Sequence, residues 1–440
     1  MKLPNTVKIM GALVVVLTFA ANTVSAAGFA VMEQSAKSLG TATAGATASQ
    51  NADSVFFNPA GMTAITAPTI EIGVAAVIPS FEFSDKGSTF GTKDSPIPVP
   101  LTGSEPDAGK TAIVPNLYYI QPLSEKLTLG LAFNAPYGLE TRYSDGWMGR
   151  YAAIKSDMTT MQLSPTIAWK INDQFSIGAG VSISKIDATL SSEIDFGGIL
   201  ASYGAGTMPG SMDGKVSLEG DDMGYGFNIG FMYNVSENTR IGIDYRSEVE
   251  YKLDGDATFT VPPAAAAGLA PLFTNTGIDA KITTPDVASI GAYHKFNDLF
   301  ALMGDITWTG WSSFKELRVV YDNPAQPDST TVENWDDVFR YALGGEFYVS
   351  DEWTLRVGGA YDESPIPDEH RTARIPGTDR IWGALGCSYM PNEQWSIDLA
   401  YMHVFFTDDP ELTEQTPTAY IAGDYSGTAD VVSISCSYTF

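Results

Sequence analysis

The chain has 440 residues, a formal net charge of −27 and only 18% charged residues. The acidic balance argues against nucleic acid as a partner, because phosphates are neutralised by Lys and Arg. The charged fraction is below the roughly 25% typical of soluble domains, whereas 20 Tyr, 22 Phe, 8 Trp and 42 Gly are present. This composition favours either a membrane barrel or a large secreted β-protein.

Residues 1–26 have the features of an export signal. Lys2 and Lys8 supply a positive start, residues 10–21 form a short apolar core, and small residues at 24–26 provide a cleavage site. No later segment has the 18 or more consecutive apolar residues of a transmembrane helix. We therefore expect an exported chain without a membrane-spanning helix.

Residues 27–66 are rich in Ala, Gly, Ser and Thr. A helix is expected around 30–38, and the sequence at 58–61 predicts a turn. Such small side chains cannot form a core of their own. We expect this segment to fold into the lumen of a barrel as a hatch; the alternative is a loose periplasmic extension.

From residue 67 onward, apolar and polar side chains alternate in short segments. At the C-terminus, Val432, Ile434 and Cys436 alternate with Ser433 and Ser435. A period of two predicts strands with one apolar face. Fourteen strands are predicted, near residues 69–79, 113–121, 126–136, 158–171, 174–187, 223–234, 238–252, 282–295, 299–309, 338–349, 352–362, 379–390, 394–404 and 430–440.

The connections between these segments alternate between short and long. The short ones are at 122–125, 172–173, 236–238, 297–298, 350–351 and 391–393. Outer-membrane barrels have this asymmetry, with short periplasmic turns and long extracellular loops, whereas Greek-key sandwiches do not require it. The sequence therefore predicts an all-β, 14-stranded antiparallel outer-membrane barrel over residues 67–440.

Aromatic residues near the predicted strand ends suit the two interfacial girdles of such a barrel. They are Tyr118, Tyr119, Trp169, Trp308, Trp353, Trp382, Trp395 and Tyr438. Cys387 and Cys436 are interpreted as small apolar side chains on strands, and a pairing between them stays open.

Several short blocks occur in an order typical of one transporter family. They include Ala27-Gly28-Phe29, Asn58-Pro59-Ala60, Pro115-Asn116, Tyr137-Gly138-Leu139, Tyr245-Arg246-Ser247-Glu248-Val249, Trp311-Ser312-Ser313-Phe314 and Asp362-Glu363-Ser364-Pro365-Ile366-Pro367. In these blocks the chain resembles the FadL-type outer-membrane transporters of long-chain fatty acids and aromatic hydrocarbons. The resemblance runs from Ala27 to Phe440. It implies a barrel closed by an N-terminal hatch, with a kink in the third strand that opens sideways to the membrane.

The resemblance also assigns residues to the hatch and the gate. Asn58, Pro59 and Ala60 would be hatch residues beside the kink, and Pro136, Tyr137 and Gly138 would form the kink. Proline cannot donate to a sheet ladder, and glycine weakens a strand. The terminal Phe440 resembles the signal that outer-membrane insertion machinery reads.

Two of the long loops are unusually apolar, and they supply the candidate capture residues. Exposed apolar side chains in a loop must either pack together or bind an apolar partner, and the resemblance implies a capture groove for a hydrophobic ligand. These residues are Phe196, Ile199 and Leu200 in the third long loop and Leu269, Leu272 and Phe273 in the fourth. The alternative, loop helices that pack only on one another, stays open.

Arg318 falls where the resemblance implies a basic residue in an internal, otherwise apolar pocket. A guanidinium there could hold a fatty-acid carboxylate bidentately. The family's second basic position corresponds to Ser192, a departure that favours an uncharged ligand. The alternative for Arg318 is a structural ion pair with an acid in the lumen.

We find no catalytic pattern, because His294, His370 and His403 lack a nucleophile motif or metal-ligand spacing. No enzyme activity, metal or cofactor is expected. The predicted function is passive uptake of hydrophobic molecules by a monomer surrounded by outer-membrane lipid. Long-chain fatty acids are the preferred substrate, taken up by loop capture, internal binding and lateral release at the kink. Neutral aromatic hydrocarbons by the same route, or a general porin, are the alternatives.

Overall fold

The computed structural model describes residues 28–94 and 99–440, so the predicted export signal lies outside the described residues. These residues form one antiparallel sheet of 22 strand segments. The segments are β1 (Thr69–Asp85), β2 (Thr89–Phe90), β3 (Val99–Pro100), β4 (Ala112–Pro122), β5 (Leu127–Asn134), β6 (Gly138–Arg142), β7 (Lys155–Lys170), β8 (Phe175–Asp195), β9 (Asp213–Ser236), β10 (Thr239–Arg246), β11 (Val249–Thr260), β12 (Thr276–Thr284), β13 (Val287–Asn297), β14 (Phe300–Thr309), β15 (Glu316–Tyr321), β16 (Ser329–Val332), β17 (Val338–Tyr348), β18 (Trp353–Asp362), β19 (Arg380–Asn392), β20 (Trp395–Phe406), β21 (Glu411–Gln415) and β22 (Ala419–Thr439).

The sheet closes on itself into a barrel of 14 transmembrane strands. Six of these strands consist of two consecutive segments: β5 with β6, β10 with β11, β12 with β13, β14 with β15, β16 with β17 and β20 with β21. β1 pairs with β22 from Thr69↔Thr439 to Asp85↔Gly423, which completes the ring. A closed ring leaves no unpaired edge in hydrocarbon. The predicted 14-stranded barrel is confirmed.

On strands such as β22, the apolar face points outward and the small polar face points into the lumen. On β22, Val432 and Ile434 are half exposed, whereas Ser433 and Ser435 are buried. The prediction of interfacial girdle positions is wrong for two residues, Tyr118 and Trp382, because their side chains point inward and are buried. Their side chains contact the hatch residue Gln34 and the wall residue Arg340 instead.

Several strands extend well beyond their predicted ends. β8 has 21 residues and β9 has 24, whereas about 9–11 residues cross the hydrocarbon. The excess forms a wall above the membrane, where Lys185 is ion-paired with Asp187 and Asp221. Sequence alternation underestimates these strands because the outward face becomes polar above the lipid.

Residues 28–68 lie inside the ring, as expected of a hatch. They contain helix α1 (Ala36–Leu39), helix α2 (Ser54–Phe57) and a 3-10 helix (Pro59–Ala64). Lys37 Nζ lies 3.7 Å from Asp398 on β20, and Leu39 is fully buried. The helix predicted around 30–38 is shorter because residues 29–34 run along the barrel wall.

The extracellular loops pack above the hatch. They include helices α3 (Phe196–Ser202) and α4 (Pro263–Leu269) and 3-10 helices at Trp311–Ser313 and Asp368–His370. Tyr143 and Tyr425 share a hydrogen bond of 2.7 Å, and Trp147 stacks on Tyr143. Within the described ranges, no helix is long and apolar enough for a membrane span. Cys387 and Cys436 are both free.

Candidate functional site

The third transmembrane strand is interrupted between β5 and β6. β5 ends at Asn134 and β6 begins at Gly138, so Pro136 and Tyr137 lie in the interruption. The pairing with β7 shifts from Asn134↔Gln162 to Gly138↔Thr159, which gives the third strand one extra residue. Pro136 has no N–H to donate, so a break here costs the ladder less than it would elsewhere.

The barrel wall is open beside this kink. The ladder between the second and third strands ends at Leu117↔Phe133. Residues 112–116 of β4 pair with β1 but not with the third strand. Non-helical backbone at membrane depth is tolerated only where protein buries it or it lines a cavity. The opening therefore needs a seal.

The start of the hatch supplies that seal. Val31 N donates to Pro136 O at 2.9 Å, and Gly138 N donates to Phe29 O at 2.8 Å. Gln34 Nε2 donates to Ala135 O at 2.9 Å. Residues 29–34 thus satisfy backbone groups that the kink would otherwise leave unpaired.

The Asn58-Pro59-Ala60 motif lies elsewhere, so its expected place beside the kink is wrong. Asn58 Nδ2 donates to Thr47 O at 2.8 Å and to Phe231 O on β9 at 3.1 Å. Its Oδ1 accepts from Ala60 N. A Cβ on Gly178 of β8 would lie 2.5 Å from the Pro59 carbonyl carbon, so this glycine permits the close approach. The motif anchors the hatch to the fifth and sixth strands.

An aromatic cluster lies directly inside the kink. We define it as Phe29, Tyr137, Trp311, Phe314 and Trp335, all buried. The Phe29 ring lies 4.5 Å from Trp311, 5.5 Å from Phe314 and 5.6 Å from Trp335. Aliphatic side chains extend this apolar region: Leu139, Met158, Ile186, Val249, Leu253, Ile282 and Ile366. No local sequence pattern marks the cluster as a unit, because its members lie far apart along the chain.

A basic side chain borders the same region. A cavity of about 50 Å³ is lined by Pro136, Tyr137 and Arg246, among other residues. Arg246 donates to Phe56 O at 2.7 Å, and its guanidinium lies 3.8 Å from the Phe56 ring. In the part of the chain that the structure describes, no carboxylate lies within ion-pair distance of Arg246. Arg246 belongs to the block at 245–249, but no ligand-binding role was predicted for it from the sequence, although it occupies a lumen-facing position.

Arg318 does not face the lumen, so its predicted place in an internal pocket is wrong. It lies on β15 on the same face as Val320, which is 40% exposed, whereas Val319 between them is buried. Its Nε donates to Asp328 Oδ2 at 2.9 Å, and its side chain is 55% exposed. The residue forms a surface ion pair above the membrane because β15 keeps odd-numbered side chains inside.

The six predicted capture residues come together in the structure. Phe196 and Leu269 are buried, and Ile199, Leu200, Leu272 and Phe273 pack around them. The Phe196 and Phe273 rings are 4.9 Å apart. Tyr203 and Met208 in the same loop are 75% and 71% exposed, so apolar surface is still presented to solvent.

The sequence as a whole matches one family. Residues 17–440 match outer membrane protein transport proteins, described as OMPP1/FadL/TodX. The chain belongs to this FadL family. It is 30% identical to the long-chain fatty acid transport protein of Escherichia coli O6:H1, over 94% of both chains.

Solved structures agree with this membership. A Pseudomonas aeruginosa FadL homologue superposes with a TM-score of 0.85 at 26% identity, covering 94% of this chain and all of that one. The Pseudomonas putida toluene transporter TodX shares the fold, with a TM-score of 0.66 at 16% identity and coverage of 94% and 99%. As a FadL-family member, the chain is an outer-membrane transporter of hydrophobic molecules and not an enzyme. Membership thus separates it from general porins.

Proposed function

We propose that this transporter takes up long-chain fatty acids and that Arg246 holds the carboxylate. The observation that carries the proposal is a guanidinium that forms no ion pair among the described residues, beside a buried apolar region and a wall opening. Asp244, on the same face of β10, lines the same cavity and interacts with Arg246 only through its charge. An Arg–carboxylate pair in such surroundings is strong and directional. The similarity to a long-chain fatty acid transport protein supports this substrate class.

The apolar surface of the third and fourth loops would capture the ligand first. Ile199, Leu200 and Phe273 are only partly buried around the core of Phe196 and Leu269, and an alkyl chain could join them. Partial burial would remove apolar surface of the chain from water, which contributes about 0.8 kcal/mol for each buried methylene. Extracellular capture thus needs no polar contact.

Internal binding would then compete with Phe29. An alkyl chain that enters the aromatic cluster must displace the Phe29 ring, since the remaining cavity of about 50 Å³ cannot hold it. Burial of a Phe side chain contributes about 1.5–3 kcal/mol, and a long alkyl chain with more than ten methylenes contributes more. Replacement of the Phe29 ring by the alkyl chain is therefore favourable.

Displacement of Phe29 links binding to release. Phe29 and Val31 hold the kink through the Gly138 N–Phe29 O and Val31 N–Pro136 O bonds. When these bonds break, the opening between the second and third strands loses its seal. The ligand can then leave sideways into the membrane.

The proposal is tested by a ligand series on the purified, reconstituted barrel. Saturable binding is expected for an 18-carbon fatty acid, weaker binding for the matching alcohol, and no flux of sugars. Phe29→Ala should increase release of fatty acid into the bilayer, with Phe406→Ala as a control at an aromatic residue outside the cluster. A preference of the wild-type protein for alkylbenzenes would contradict the fatty-acid assignment.

That last outcome would favour the second candidate, neutral aromatic hydrocarbons. One observation supports it: the Phe29 site is surrounded by four aromatic rings, and a benzene ring could replace the Phe29 ring in edge-to-face contact. A neutral ligand would make no use of Arg246. Binding of toluene that is independent of Arg246 is the expected signature.

A further inference from the structure

The seventh transmembrane strand carries a second interruption, which no part of the transport route above uses. β10 ends at Arg246, paired with Asn228, and β11 rejoins β9 only at Asp254↔Asp221. The two registers differ by one residue, as they do at the kink of the third strand. Between them, residues 248–253 and 222–226 have no backbone pairing with each other in the described structure.

Side chains fasten both ends of this break. Phe227 N donates to Ser247 Oγ at 3.0 Å, and Lys252 N donates to Asp222 Oδ2 at 2.6 Å. These contacts leave the middle of the two segments without a ladder. In hydrocarbon each unpaired backbone group costs several kcal/mol, and an irregular wall is tolerated only beside a cavity or buried in protein.

Two side chains close the break from within. Gly224 and Gly226 of β9 leave space on the inner face, and Val249 and Tyr251 occupy it. A Cβ on Gly224 would lie 2.7 Å from Tyr251 Cε1. Val249 and Tyr251 are buried, and behind them lies the same apolar region that surrounds the aromatic cluster. The wall here is thus side chain rather than hydrogen-bonded backbone.

The break lies at the outer boundary of the hydrocarbon and has one apolar and one charged outer edge. On the β11 side, the outward Glu250 is ion-paired with Lys252 and Lys281. On β9 the outward side chains Phe227, Tyr225 and Met223 are apolar and 45–71% exposed. Tyr233, near the periplasmic turn, stacks on Phe175. From Tyr233 to Met223 the strand climbs ~25 Å, at about 3.3 Å per residue and a tilt of about 40°. That height equals the apolar band of an outer-membrane barrel.

We propose that this break is a side entrance, through which the alkyl chain of a single-chain amphiphile dissolved in the outer leaflet reaches the internal apolar region. Rotation of Val249 and Tyr251 opens it without loss of any ladder hydrogen bond. Side-chain rotations are far faster than rearrangements of a sheet. The inference rests on the proposed function, since the ligand and its internal site are the same, but it assigns a different route of access.

The test closes the break reversibly. In a Cys387→Ser, Cys436→Ser background, Tyr225→Cys and Glu250→Cys are joined by a short reducible cross-linker. Continuing the register of Asp254↔Asp221 downward places these two positions opposite each other on the outer face. The control joins Phe231→Cys to Ile243→Cys, an outward pair on the same two strands where the ladder is intact.

The measurement is the rate at which a fluorescent long-chain fatty acid, preloaded into the bilayer, reaches the tryptophans of the aromatic cluster. The cross-link at 225 and 250 should slow access by about tenfold or more, reductant should restore it, and the control cross-link should have no effect. Tyr251→Ala should accelerate access. An unchanged rate with the entrance cross-linked would overturn the side entrance, and it would leave the proposed function intact if equilibrium affinity persists. Absence of fatty-acid binding in every variant would overturn both.

Discussion

Replacement of Arg246 tests the internal site most directly. Arg246→Ala removes the guanidinium that faces the cavity beside the kink, and Arg246→Lys keeps the charge but not the fork of donors. Arg318→Ala is the matched control, because it deletes the same chemical group from the outer surface. Together the three variants distinguish three effects on ligand affinity: a positive charge in the lumen, the donor geometry at that position, and the total charge of the protein.

The magnitude follows from the contacts. A hydrogen bond to a charged partner contributes about 1.5–3 kcal/mol, so loss of a ligand carboxylate bond should weaken fatty-acid affinity by about ten- to a hundredfold. Arg246 also donates to the hatch residue Phe56 and lies on its ring. That second loss should act equally on every ligand. Arg318 is more than half exposed, so solvent screens its ion pair and its removal should have little effect.

The assay compares an acid and its matching alcohol on all four proteins, by titration in detergent and by uptake in cells. Arg246→Ala should lower affinity for the acid much more than for the alcohol. Arg246→Lys should be intermediate, and Arg318→Ala should leave both affinities unchanged. Heat-modifiable migration confirms that each barrel is folded.

Equal losses for acid and alcohol in Arg246→Ala would refute the reasoning, because the residue would then act only through the hatch. A loss specific to the acid in Arg318→Ala would refute the outward placement of that side chain. Either result would move the carboxylate site away from the kink.

Three further outcomes are expected. Asn58→Ala removes donors to the Thr47 and Phe231 carbonyls, so hatch seating should weaken by about 1–3 kcal/mol and small-solute leakage in liposomes should rise. Gly178→Val places a side chain against the hatch and should produce the same leakage with a folded barrel. Leu269→Ser with Phe273→Ser should weaken surface capture of fatty acids, and an equal loss for sugars would indicate a damaged barrel instead.

The barrel itself could be predicted because its physics is local. A strand that faces lipid on one side and a polar lumen on the other must alternate with a period of two, and β22 does so at Val432, Ser433 and Ile434. The position of the kink came from the resemblance. Pro136 is compatible with a break, but it does not predict one, since Pro165 lies within the ladder between β5 and β7. The upper halves of β8 and β9 escaped prediction because the outward face becomes polar above the membrane, while inward residues such as Ile186 on β8 are apolar, so the pattern seen lower on the strand does not continue.

The internal site could not be predicted in the same way. Phe29 meets Trp311 and Trp335 only because the hatch folds back into the ring, and no local pattern encodes that contact. Whether the Arg318 side chain points inward or outward depends on the number of residues in the interruption before β15, because an odd or an even number reverses or keeps the alternation. Arg246 could have been found, because alternation along β10 places it on the lumenal face with Asp244.

The two interruptions differ in the contacts that a ligand must break to pass through them. The opening at the third strand is held by backbone hydrogen bonds from Val31 and Gly138, whereas the break at the seventh strand is held by the side chains of Val249 and Tyr251. Separating backbone bonds in apolar surroundings costs more than rotating side chains. Access at the seventh strand would therefore be fast, while release at the third strand would wait for a ligand that displaces Phe29. Net flux still follows the concentration gradient, but the slow step becomes specific to ligands that can enter the aromatic cluster.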